Sequence, residues 1–223
     1  MPAAAGMCES PNDGRGCTMR ILIIAAGAAA VLPLGSFAAR AQPLIVAEIE
    51  APAINCVFHP LCAFTVSDSV GFIPLPYLAA PNTAFLQSRT VTGEPGTLVA
   101  GKAGYIYRIS LTQAAGSADC LGGLVLNFGP AFRLPFKPNQ LADVFVITGG
   151  GLGSIGLKSA TRFDDVIVFE LAKDLCLAGG PNLDNTTFFF GLVANAGSMT
   201  TSAQIFSTGN PPLYSVDARV PAH

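Results

Sequence analysis

The sequence predicts an all-β protein: an antiparallel β-sandwich of jelly-roll or Ig-like type, with a β-barrel as the alternative. Three observations carry this. Short apolar or alternating segments recur at roughly ten-residue spacing, separated by Gly, Pro, Asn and Asp. No window of a dozen residues combines helical periodicity with caps. Glycine and proline are plentiful, 24 and 17 in 223 residues, and between strands they suit tight turns.

Ahead of the strands stand two other segments. Residues 1–18 are a polar extension with Cys8 and Cys17, read as an artefact of start-site choice. Residues 19–41 then run from Met19-Arg20 through a long apolar stretch to Ala39-Arg40-Ala41. A basic start, an apolar middle and small residues at the end are the layout of a secretory signal peptide. The apolar stretch Ile21–Ala39 is long enough to span a bilayer. Pro33, Gly35 and Ser36 loosen its end, however, and cleavage is expected between Ala41 and Gln42. The mature chain would then be secreted or periplasmic, with no stable membrane insertion. Residues 42–223 are expected to form a single sandwich domain.

Candidate strands follow in order: Leu44–Glu50, Ile54–Phe58, Ala63–Asp68, Ala84–Thr92, Gly104–Thr112, Gly123–Phe128, Asp143–Thr148, Asp165–Leu171, Thr186–Ala194, Ala203–Thr208 and Leu213–Val220. Gly104–Thr112 alternates most clearly. Tyr105, Tyr107, Ile109 and Leu111 share one face, and Arg108, Ser110 and Thr112 the other, the pattern of a half-buried strand. Val144–Ile147, Val166–Phe169 and Phe188–Val193 are apolar on both faces. They suit central strands, or strands whose outer face meets another chain. Gly129–Gln140, with Pro130, Pro135 and Pro138, reads as a longer surface connection.

Composition narrows the function classes. From Gln42 onward there are nine Lys/Arg and twelve Asp/Glu. This weak negative balance, without a basic cluster, argues against nucleic acid. So few charges protect poorly against self-association, which points to a homo-oligomer or a partner-covered face. Four cysteines remain: Cys56, Cys62, Cys120 and Cys176. An even number in an exported chain reads as disulfides, and the favoured pairing is Cys56–Cys62 with Cys120–Cys176. Zinc is the rival, but a five-residue gap with one nearby histidine, His59, is a poor ligand spacing. No metal and no cofactor is expected.

Several motifs have a plainer reading. Gly151-Leu152-Gly153-Ser154-Ile155-Gly156 fits the G-x-G-x-x-G dinucleotide fingerprint after an apolar strand, with Glu170 ending the next one. Only nine residues separate Gly156 from Val166, too few for the full crossover helix. A glycine-rich turn joining two antiparallel strands is the simpler reading. Ser154 lacks the first glycine of a nucleophile elbow. A serine triad would need His59 or His223 as base. The carboxylate pairs Asp164/Asp165 and Glu48/Glu50 could serve a glycosidase, but neighbours on a strand point apart, and an edge strand explains the second pair. Asn182, Asp184 and Asn185 could offer oxygens to calcium, yet turn formation explains them better. Asn185-Thr186-Thr187 is an N-glycosylation sequon. Phe188, Phe189 and Phe190 fall in an uncharged, proline-free aromatic window. It reads as a core strand or, at an edge, as a self-association contact. With no Trp, any stacking platform would fall to Tyr77, Tyr105, Tyr107 or Tyr214, of which Tyr105 and Tyr107 look like core.

These observations point to an exported, disulfide-tied sandwich with a structural or binding role and no catalysis. The alternatives are a carboxylate-dependent hydrolase acting on polysaccharide, and a sugar- or lipid-binding module.

Overall fold

The computed structural model describes residues 40–63, 65–116, 120–137, 140–150, 153–177, 185–208 and 213–222. The expected signal peptide and the extension before it lie outside them, apart from Arg40 and Ala41. Fourteen strands and one helix account for the described elements. In chain order they are β1 (Ala41–Pro43), β2 (Val46–Glu50), α1 (Ala51–Phe58), β3 (Ser67–Phe72), β4 (Phe85–Thr92), β5 (Lys102–Ser110), β6 (Leu121–Asn127), β7 (Leu134–Lys137), β8 (Gln140–Ala142), β9 (Val144–Gly149), β10 (Leu157–Phe163), β11 (Val166–Leu175), β12 (Phe189–Asn195), β13 (Ser198–Ser207) and β14 (Leu213–Pro221).

Two six-stranded sheets pack face to face as a sandwich, not a closed barrel. The first runs β1-β10-β11-β6-β13-β14 and the second β2-β9-β12-β5-β4-β3. Every pairing is antiparallel except β2 with β9, which is parallel. The alternation expected for Gly104–Thr112 holds. Tyr105, Tyr107, Ile109 and Leu111 are all fully buried in the core between the sheets. There Tyr105 meets Phe128 edge-on at 5.5 Å, and Phe169 meets Phe190 at 5.1 Å. The two tyrosine hydroxyls reach the core's rim and donate to backbone carbonyls, Tyr105 to Asn195 and Gly197, Tyr107 to Arg219 at 2.6 Å. Burying a phenol is tolerable only with such a partner.

The chain itself links the two sheets along both sides of the sandwich. On one side the chain changes sheets within two residues. Leu44 N–H donates to Ala160 of the first sheet at 2.9 Å, while the Ile45 carbonyl already accepts from Asp143 and Val144 of the second. The buried Asp143 carboxylate holds this crossing. It accepts from Ile45 N–H at 2.9 Å and from Arg133 Nε at 2.8 Å. On the other side β14 meets β3 so closely that a Cβ on Gly71 would lie 2.3 Å from the Asp217 carbonyl oxygen, so only glycine fits. Arg219 then spans that corner, donating to Ser67, Asp68 and Thr90.

A third, partial layer corrects one element. Ile54–Phe58, expected as a strand, belongs to helix α1. Pro52 sits at its start, where a missing N–H costs nothing. Ile54 and Phe58, one turn apart, are both fully buried. They pack with the β7–β8 hairpin against the outer face of the second sheet, over Val91, Ile106, Phe145, Ile147, Phe189 and Val193. Phe58 sits where a Cβ on Gly104 would be, 2.5 Å from its ring. The double-sided apolarity of Val144–Ile147 and Phe188–Val193 is thus met by the chain's own helix and hairpin. The Gly129–Gln140 connection contains β7 and the start of β8. The strand expected at Ala63–Asp68 lies later, at Ser67–Phe72. Leu157–Phe163, read as a gap, is strand β10.

Candidate ligand-binding surface

The cysteines pair as expected, Cys56 with Cys62 and Cys120 with Cys176. The first bridge staples the end of α1 to the turn that follows. His59 caps that helix by donating its N–H to Asn55, and its Nδ1 accepts from Leu61 N–H at 3.1 Å. The second bridge sits where β6 begins and β11 ends. Leu121 and Leu175 pair beside it, so residues 56 apart in sequence are neighbours in the sheet. Loop-closure entropy assigns ~2 kcal/mol to the short bridge and ~4 kcal/mol to the long one.

The glycine-rich segment carries no dinucleotide unit. The residues after Gly156 form β10, not a helix. The segment also joins two sheets instead of turning a hairpin, since β9 lies in the second sheet and β10 in the first. Asn185, Thr186 and Thr187 are buried, and the two threonines are tied to Ile109. Thr187 Oγ1 accepts from Ile109 N–H at 3.0 Å, and Thr186 Oγ1 donates to the Ile109 carbonyl. Asn185 is therefore a poor glycan acceptor in the folded chain. Asn182 and Asp184, raised as calcium ligands, lie outside the described residues. Asp164 forms the β10–β11 turn with a positive φ of 52°, and Glu170 accepts from Ser159 at 3.0 Å beside Lys158. Among the described residues, no group of three or more His, Cys, Asp or Glu could hold a metal. None of the described helices is long and apolar enough to cross a membrane.

Phe189 and Phe190 lie buried on β12. That strand is internal, hydrogen-bonded to β9 on one side and β5 on the other, so it has no free edge. Phe190 faces the core between the sheets, and Phe189 faces the outer layer. Phe188, half-buried, packs beside the core ahead of β12.

Phe189 also marks the border of the covered half of this face. Beyond it the second sheet grades outward, from buried Gln87 through half-buried Arg89 and Arg108 to exposed Asp68, Val70 and Phe72. The Arg89 guanidinium lies 4.3 Å from the Phe189 ring centre and that of Arg108 4.8 Å away. Both arrangements are cation–π contacts. Cross-strand register explains the grouping: Arg108 sits opposite Gln87, Gln87 opposite Val70, and Arg89 opposite Asp68. Arg89 Nε donates to the Asp68 carboxylate at 2.7 Å. Arg108 has no carboxylate partner among the described residues, and its Nε is buried without an acceptor. Burial, and then the charge of Arg89, pull its pKa below the usual range, with Asp68 acting the other way.

The open face continues over exposed Val70 and Phe72 into an apolar groove of about 450 Å³. Its walls include Phe72, Leu75, Leu78 and Tyr77, the last of which is 83% exposed. Tyr77 is the one tyrosine of the four placed outside; Tyr214 is buried. Sequence reasoning named Tyr77 but missed Arg89, Gln87 and Asp68. The signal was the period-two position of each on neighbouring strands, visible only once the strands are aligned. Comparison with known proteins found no matching family model, no matching curated protein and no matching solved structure.

Proposed function

We propose that this is an exported binding protein, not an enzyme, which presents the open half of its second sheet to an acidic polysaccharide. Cleavage near Ala41–Gln42 leaves one domain, residues 42–223. The two disulfides support an oxidising destination. One observation carries the binding surface: Arg89 and Arg108 share the Phe189 ring, and among the described residues only Asp68, paired with Arg89, sets a carboxylate against them. The face therefore keeps a net positive charge on an otherwise acidic chain. Guanidinium forks suit carboxylates, and Phe72 and Tyr77 supply flat apolar surface beside them for a sugar ring.

The test is binding of polygalacturonate against neutral dextran, followed by calorimetry. The acidic polymer is expected to bind and the neutral one not, with affinity falling as salt rises. Arg108→Gln is expected to weaken binding by roughly tenfold or more. Equal binding of both polymers, or none of either, overturns the proposal.

A further inference from the structure

A sandwich has four edge strands, and three of these are closed or short. β14 and β3 cover each other, stitched by Arg219. β1 has only three residues. Among the described residues the remaining edge, β2, is paired on one side only, to β9. Its five residues, Val46–Glu50, together with Ala53 of α1, Phe136 of β7 and Gln140 of β8, line a groove of about 390 Å³.

The direction of the backbone in β2 follows from its entry. Ile45 directs both N–H and C=O at Asp143 and Val144. Alternation then turns Ala47 and Ile49 to β9, and the amides and carbonyls of Val46 and Glu48 to the groove. Such an edge is a template for one more strand. The side chains define what that strand carries. On one face Ile49 and Phe136 extend the apolar cluster beneath α1 and the hairpin. Glu48 and Glu50 are exposed, and neither has an ion-pair partner among the described residues. A second copy pairing through its own β2 would bring these carboxylates together, which is unfavourable.

We infer that β2 receives an extended segment of a partner protein in which apolar and basic residues alternate. The apolar residues cover Ile49 and Phe136, the basic ones meet Glu48 and Glu50, and the backbone pairs with Val46 and Glu48. This site is separate from the arginine face and does not depend on it.

The test uses the full disulfide-bonded chain and three synthetic peptides: alternating Lys and Val, alternating Glu and Val, and a block peptide with the Lys and Val of the first grouped apart. The Lys/Val peptide is expected to bind and to slow exchange of the Val46 and Glu48 amides. The block peptide is expected to bind roughly tenfold more weakly, because its charges and apolar groups fall on both faces. Glu48→Lys is expected to reverse the preference toward the Glu/Val peptide. Glu48→Pro removes the Glu48 carboxylate and, of the backbone groups, only the groove-facing N–H, which an edge strand tolerates. It should leave the melting temperature near that of the parent and abolish binding. Equal binding of the block peptide, unchanged binding by Glu48→Pro with the fold intact, or protection at the arginine face instead of β2 overturns the inference.

Discussion

Arg219 on β14 donates one guanidinium nitrogen to both the carbonyl, at 3.0 Å, and the hydroxyl, at 2.6 Å, of Ser67 on β3. Its other nitrogen reaches the Asp68 carbonyl at 3.2 Å. One side chain thus joins the last strand of the first sheet to the outermost strand of the second. Arg219→Met keeps most of the aliphatic stem and removes these bonds. The expected cost is about 1–2 kcal/mol, since the bonds are charge-assisted but partly open to water. Chemical denaturation measures it. Hydrogen exchange should also quicken at β3 and β14 before other strands, and an unchanged midpoint with unchanged exchange would sink the claim that this corner is clamped.

Tyr107 makes a second, pH-dependent link to the same strand, through the Arg219 carbonyl. Burial first, and then nearby Tyr105, raise its pKa well above the ordinary tyrosine value. The folded state therefore resists ionisation that the unfolded chain undergoes. The stability this contributes is fully present below the ordinary tyrosine range and is lost as pH climbs from there toward the folded pKa. Unfolding is expected at alkaline pH, followed by tyrosinate absorbance. Tyr107→Phe should cost about 1 kcal/mol at neutral pH for the lost bond and flatten the alkaline slope. A slope identical to the parent's would contradict this.

Phe189→Lys tests where the aromatic window acts. On an exposed edge strand the change would alter assembly and leave the fold alone. On internal β12 it places an ammonium under α1 and beside Arg89 and Arg108. Loss of the buried ring alone is expected to cost about 3–5 kcal/mol, and the added charge more. Circular dichroism melting checks it. A variant as stable as the parent would return this residue to the surface.

Much of the fold was legible because the strands advertise themselves. Gly104–Thr112 alternates cleanly, so its buried face was readable residue by residue. The cysteine pairing was legible too, since a short gap closes a turn and leaves one other pair. Helix α1 was not. Its eight residues make barely more than two turns, too few for a repeating pattern to stand out, and Ile54, Val57 and Phe58 read equally as a strand. Only the i, i+4 spacing of Ile54 and Phe58 betrayed it. β10 was missed for the opposite reason. Lys158, Ser159, Thr161 and Arg162 make it polar, and what orders it is pairing with β11 and β1. The arginine face lay beyond sequence reasoning because Asp68, Gln87, Arg89, Arg108 and Phe189 meet only through register across four strands.

The two-residue crossing at Leu44–Ile45 has a kinetic meaning. Gln42 finds Arg162 across 120 positions, and Ile45 finds Asp143 across 98. The strands made first are thus among the last that can dock, and both sheets lack an edge until β9 and β10 exist. Loops of that length close slowly. Hairpins such as β3–β4 can form early, but this side of the sandwich stays unfinished until β10 has been made.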